Sequence, residues 1–171
     1  MLEAVYGGFP IYQFGIEYDS NLWSRTMANR AGELVCDFIR ERSASGLSWE
    51  GRQFQGYSEA YMKSFEFQIA GKSSNVDLRL TGDMLADVQV VDIINSMIVI
   101  GYPDSYGELP KVINHLIGDT VPERNFLGIT KGKLTEIEEL IELEYGTPRE
   151  AVSIDTQQES VIDSILRRFG L

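Results

Sequence analysis

The chain has 171 residues, a formal net charge of −11 and 43% apolar residues, enough to bury one ordinary core, and it reads as a single domain over 1–171. Its one cysteine, Cys36, excludes an intramolecular disulfide framework and a cysteine zinc cage, and it points to a reducing compartment. The acidic balance, with a sequence pI near 4.5, argues against a protein that grips nucleic acid by its phosphates; its plainest meaning is solubility.

The first residues, Met1–Gly15, contain no basic stretch followed by a continuous apolar one, so no signal peptide is expected. Phe9–Tyr18 mixes aromatic and aliphatic residues and predicts an extended segment. Asp19, Ser20 and Asn21 then offer three helix caps. Trp23, Met27, Ala31, Leu34, Val35, Phe38 and Ile39 follow at helical spacing, so a long amphipathic helix is expected to about Arg42. Its polar face would carry Arg25, Arg30, Glu33, Asp37, Arg40 and Glu41.

Gly46–Tyr57 is rich in glycine and aromatic residues and reads as an ordered loop. A short helix over Ser58–Phe65, capped by Ser58, and a second loop around Gly71–Asn75 come next. Val76–Leu80 alternates as a short strand would, and Thr81-Gly82-Asp83 opens a helical turn with Met84 and Leu85 inward. Val88–Ile94 and Met97–Tyr102 flank Asn95-Ser96 and predict a β-hairpin. The polar pair at its tip interrupts the longest apolar run, so no membrane span is expected.

Leu109–Ile117 has helical periodicity and stops at Gly118. Thr135 and Glu138 form a capping-box pattern ahead of a helix that ends at Gly146, with Ile137, Leu140, Ile141 and Tyr145 on one face and an acidic face opposite. Thr147-Pro148 and Thr156–Glu159 predict two further helix starts, the second leading to Phe169. The fold class is therefore α+β: a long N-terminal amphipathic helix packed on a small antiparallel sheet with a β-hairpin, plus C-terminal helices.

A search for chemistry returns little. His115 is the single histidine and reads as a packed or surface residue, and Cys36 lies on the apolar side of the long helix as a small core residue. Asp77, Asp83 and Asp87 match no calcium loop, and neither phosphate-binding glycine motif is present. No G-x-S-x-G elbow accompanies the histidine. No catalytic residue, metal ligand or cofactor site is assigned, and the chain reads as a non-enzyme.

Three segments carry a more specific signal. The first is Gly46-Leu47-Ser48-Trp49 followed by Gly56-Tyr57-Ser58, Tyr61 and Lys63. The second is Val76–Leu85, with Leu80-Thr81-Gly82-Asp83-Met84-Leu85 at its end. The third is Val121-Pro122-Glu123-Arg124-Asn125-Phe126-Leu127-Gly128-Ile129-Thr130. In this order and spacing the chain resembles the phage virion-morphogenesis and tail-completion family, with Asn125 where that family usually has proline. The likeness covers about residues 20–130, leaving 131–171 as a helical C-terminal extension.

The resemblance implies a structural virion protein of the head–tail connector or neck, present in the host cytoplasm during assembly. It implies a ring, usually hexameric, that completes the tail or joins it to the head. The implied partners are further copies of the chain, the portal or adaptor, and tail tube, terminator or sheath proteins. Genomic DNA would pass through the lumen without specific binding, and no membrane is involved. The hairpin edges would pair with a neighbouring subunit. Trp49, Phe54, Tyr57, Tyr61, Arg124, Phe126 and Leu127 are the expected subunit or partner contacts, with packing on their own core as the alternative for the aromatics. Other readings are a tail terminator or head-side adaptor, a small carboxylate-dependent hydrolase, and an acidic regulatory or toxin-neutralising binding protein.

Overall fold

The computed structural model describes residues 1–69, 71, 76, 78 and 83–146. The expected caps at Thr147 and Thr156, with their helices, lie outside the described residues.

Two short strands open the chain. β1 (Glu3–Val5) pairs antiparallel with β2 (Gln13–Glu17), matching Ala4 to Ile16. The extended reading of Phe9–Tyr18 thus contracts to β2, and β1 was not foreseen. Asp19 does not cap the next helix. Its Oδ1 accepts the amide N–H of Asn21 at 2.9 Å and holds a turn. The cap is Ser24, whose Oγ accepts the Met27 amide N–H at 3.2 Å. Helix α1 then runs over Arg25–Ala44 and buries Ala28, Ala31, Gly32, Val35, Cys36 and Ile39 along one stripe.

After the Gly46–Tyr57 loop come α2 (Glu59–Met62), capped by Ser58 as expected, and α3 (Phe65–Ile69). Val76 and Leu78 are buried, but neither belongs to a strand. Leu78 takes a φ of 53°, so the extended run predicted from the alternation is broken there. α4 (Asp83–Ala86) sends Met84 and Leu85 inward, as predicted.

The predicted hairpin is β3 (Gln89–Ile94) and β4 (Met97–Gly101). Asn95 and Ser96 have φ of 48° and 61°, the doubly left-handed geometry whose twist suits a two-residue hairpin. A bulge at Val91 resets the alternation of β3, so Val90 pairs with Ile100 and Ile93 with Ile98. Without the extra residue, Val90 and Ile93 would point to opposite faces. β4 also pairs with β2, giving the sheet order β1-β2-β4-β3 with β1 and β3 at the edges.

Two cross-sheet rows result, Phe14–Ile100–Val90 and Ile16–Ile98–Ile93. Helix α1 lies on them. It comes so close that a Cβ on Gly32 would stand 2.6 Å from Val90 Cγ2 and 3.0 Å from Ile98 Cγ2. The glycine lets the helix axis settle onto the β-branched rows.

Helix α5 (Leu109–Ile117) is closed by Gly118, which adopts a left-handed φ of 73° and donates its N–H to Asn114 O at 2.9 Å. Helix α6 covers Lys131–Tyr145, and it begins at Thr130 rather than Thr135. Thr130 Oγ1 accepts the Lys133 amide N–H at 3.3 Å, whereas Thr135 sits inside the helix and donates its hydroxyl to Lys131 O. Leu134, Ile137 and Ile141 bury one face of α6 against α1 and β1; Leu140 and Tyr145, expected on that face, are exposed. The packed body therefore reaches beyond 20–130 at both ends, since β1, β2 and α6 all contribute to the core. No helix among the described residues is long and apolar enough to cross a membrane.

Candidate functional site

The described residues of the three motif segments, dispersed along the chain, come together in the fold. The first contact is made by Arg42, at the end of α1. Its position three after Ile39 and seven after Val35 puts it on the apolar stripe, so its guanidinium enters the protein. Its Nη1 donates to Gly128 O at 2.9 Å and its Nη2 donates to Phe126 O. Phe38 lies under it, 5.2 Å from ring centre to guanidinium carbon. Burial pushes the Arg42 pKa down to about 10.

The loop after α1 then folds onto the third motif. Gly46 has a left-handed φ of 83° and accepts the Phe54 amide N–H through its carbonyl at 2.8 Å. The Trp49 amide donates to Asn125 O at 2.9 Å. The Trp49 ring lies over Gly128, where an added Cβ would approach its Cγ to 2.9 Å. Tyr6, from the N-terminal arm, leans on Trp49 at 5.6 Å and stacks on Phe14 at 5.4 Å. Its hydroxyl donates to Ile129 O at 2.9 Å and accepts the Ile129 amide N–H.

On the neighbouring side, Tyr57, Tyr61 and Phe67 form an aromatic triangle with ring centres 5.2–5.4 Å apart. Arg124 sits over the Tyr57 ring at 5.3 Å. Its Nη1 lies 3.2 Å from His115 Nδ1, and its amide donates to His115 O at 2.7 Å. A guanidinium has no acceptor, so Nδ1 must accept and the imidazole proton resides on Nε2. Burial, then the charges of Arg124 and Lys111, push the His115 pKa down to about 4, leaving the ring neutral at pH 7. Beside these groups lies a cavity of about 340 Å³, lined by Tyr57, Tyr61, Leu78, Met84, His115 and Arg124 among others.

The predicted contact residues divide. Phe126 and Leu127 are spent on the core, at 0% and 6% exposure, and have almost no surface left for a partner. Arg124 is also buried and turns toward His115 and Tyr57 rather than outward. Trp49, Phe54, Tyr57 and Tyr61 are half-buried. Trp49, Tyr57 and Tyr61 engage other aromatic rings of the chain, and Phe54 and Tyr57 pack against the core. Arg42, His115 and Tyr6 were not foreseen as members of this cluster. The helical phase of Arg42 was the available signal; the other two are brought in by sheet pairing and by the turn after Gly118.

Cys36 is buried, and burial pushes its thiol up to about 12, so it stays protonated. Among the described residues no group of three or more His, Cys, Asp or Glu side chains is placed to hold a metal. Asp87 instead accepts the Tyr106 hydroxyl at 2.9 Å. No family model, curated protein or solved structure matches the chain.

Proposed function

We propose that the protein is a structural component of a phage particle, working at the neck as a ring-forming tail-completion or head–tail joining protein. The observation that carries this reading is the meeting of the three motif segments. The loop around Trp49 hydrogen-bonds the Pro122–Thr130 stretch, and Leu78 and Met84 of the middle motif line the same cavity as Tyr57, Tyr61 and Arg124. Segments that serve one architecture are expected to meet in a common packing unit, and the described parts of these do.

The architecture also suits assembly. β3 is an edge strand, and an edge offers unpaired backbone groups to a neighbouring subunit. Heterologous contacts of that kind close into a ring when the rotation between neighbours permits. An acidic protein of net charge −11 lining a lumen would repel DNA phosphates rather than hold them. Tail terminator and head-side adaptor remain finer variants of the same role.

The genes on either side of this one provide a direct test. Neighbours encoding portal, capsid or tail-tube proteins are the expected result. A setting of metabolic or regulatory genes, together with a hydrolytic activity lost on carboxylate-to-alanine substitution, would overturn the reading.

A further inference from the structure

Two of the described arginines, Arg42 and Arg124, are buried, and their surroundings differ. The Arg42 guanidinium is met by two backbone carbonyls, Phe126 O and Gly128 O, and serves to fasten the chain. Arg124 is 4% exposed, yet its side chain makes one hydrogen bond, to a neutral imidazole, and one contact with a π face. Its Nε is buried without a partner, and no described carboxylate pairs with it. A buried cation that lacks both an anion and a full set of acceptors is costly, and such groups are normally compensated.

The space for that compensation is adjacent. The 340 Å³ cavity opens beside Arg124, not beside Arg42, and its size falls at the lower end of small-molecule sites. Its described lining includes three nitrogen bases, Lys111, His115 and Arg124, and no acidic residue, in a chain whose net charge is −11. Lys111 is already paired with Glu108 at 3.0 Å. His115 and Arg124 therefore define the polar end. The rest of the described wall is mostly apolar and aromatic, with Tyr57, Tyr61, Leu78 and Met84, and carries the hydroxyls of Ser58 and Thr120.

We infer that this cavity binds a small organic anion whose carboxylate or phosphate head meets Arg124 and His115 and whose flat apolar body lies against the tyrosines. Arg124 presents a planar, charged donor to such a head, and the Nε2–H of His115 is a second donor in the same wall. The tyrosine rings favour a planar body over a branched one. A volume of about 340 Å³ suits a small molecule rather than a folded segment of a partner. The inference stands apart from the neck reading, because it needs only this pocket.

Isothermal titration of the full chain with phenyl phosphate, inorganic phosphate and benzyl alcohol tests it. Saturable binding of phenyl phosphate at one site per chain is expected, with inorganic phosphate weaker and the neutral alcohol weakest. Arg124→Met should weaken phenyl phosphate by about ten- to a hundredfold, the usual worth of a hydrogen bond to a charged group. His115→Phe removes the second donor at little change of volume and should weaken it by several-fold, and it decides the matter if the Arg124 variant does not fold. The inference is overturned if the folded wild-type chain shows no saturable binding, if benzyl alcohol binds as tightly as phenyl phosphate, or if the folded variants bind as the wild type does.

Discussion

Replacing Arg42 by methionine separates the two opposing contributions of a buried guanidinium. The substitution removes the donors to Phe126 O and Gly128 O, and each buried carbonyl left unmet costs about 1–3 kcal/mol. Loss of the cation over Phe38 adds about 0.5–1 kcal/mol. Against this, burial holds the Arg42 pKa at about 10 instead of 12.5, so deleting the charge returns about 3 kcal/mol of desolvation. The net expectation is destabilisation by about 2 kcal/mol, a sizeable share of the roughly 5–15 kcal/mol of a domain this size. Arg42→Lys keeps a charge that is harder to desolvate and presents a point donor instead of a fork, so it should be at least as damaging. Urea unfolding measures both variants, and hydrogen exchange at the Trp49 amide, which bonds Asn125 O, reports whether the loop detaches. An Arg42→Met protein within about 0.5 kcal/mol of wild type, or a lysine variant as stable as wild type, would refute the clamp.

Gly128→Ala should lose about 1–3 kcal/mol, because the added methyl meets the Trp49 ring at 2.9 Å and the position has a φ of 154°; thermal melting checks this, and Trp49 fluorescence in a Trp23→Phe background should move with it. Tyr102→Phe removes the hydroxyl that donates to Met84 O at 2.5 Å within the core and should cost about 1–3 kcal/mol by urea unfolding. His115 has its folded pKa lowered from 6.5 to about 4, so the unfolded chain binds the proton more readily between those values. Stability should therefore fall as pH drops from 6.5 to 4, by roughly 1–2 kcal/mol from this group after allowance for solvent screening. His115→Gln should flatten that part of the pH–stability curve relative to wild type.

What was legible in the sequence is what local pattern determines. The α1 stripe, the hairpin around Asn95-Ser96 and the stop at Gly118 are each signalled within a few residues of themselves, and each was found. β1 has three residues and is defined by its pairing with β2, a partner its own pattern does not reveal. Thr135 shows how a capping-box spacing can arise inside a helix. Thr130, followed by Lys133 in place of a glutamate, caps with its hydroxyl alone. The site was half legible: the sequence picks out Tyr57, Tyr61 and Arg124 as subunit or partner contacts, with packing on their own core as the alternative for the tyrosines. Aromatic and arginine enrichment is common to interfaces and to ligand cavities, so composition could not choose between them. Phe126 and Leu127 went to the core because the segment that carries them is drawn inward by Arg42.

The central claim is that copies of this chain assemble in a phage neck. Mass analysis and electron microscopy of particles purified from a host whose genome carries this gene test it most directly. Assembly in the neck predicts the chain in stoichiometric amount in the particle, as a closed ring between portal and tail. A particle of normal composition that lacks the chain, with the protein left as a monomer in the lysate, would contradict it.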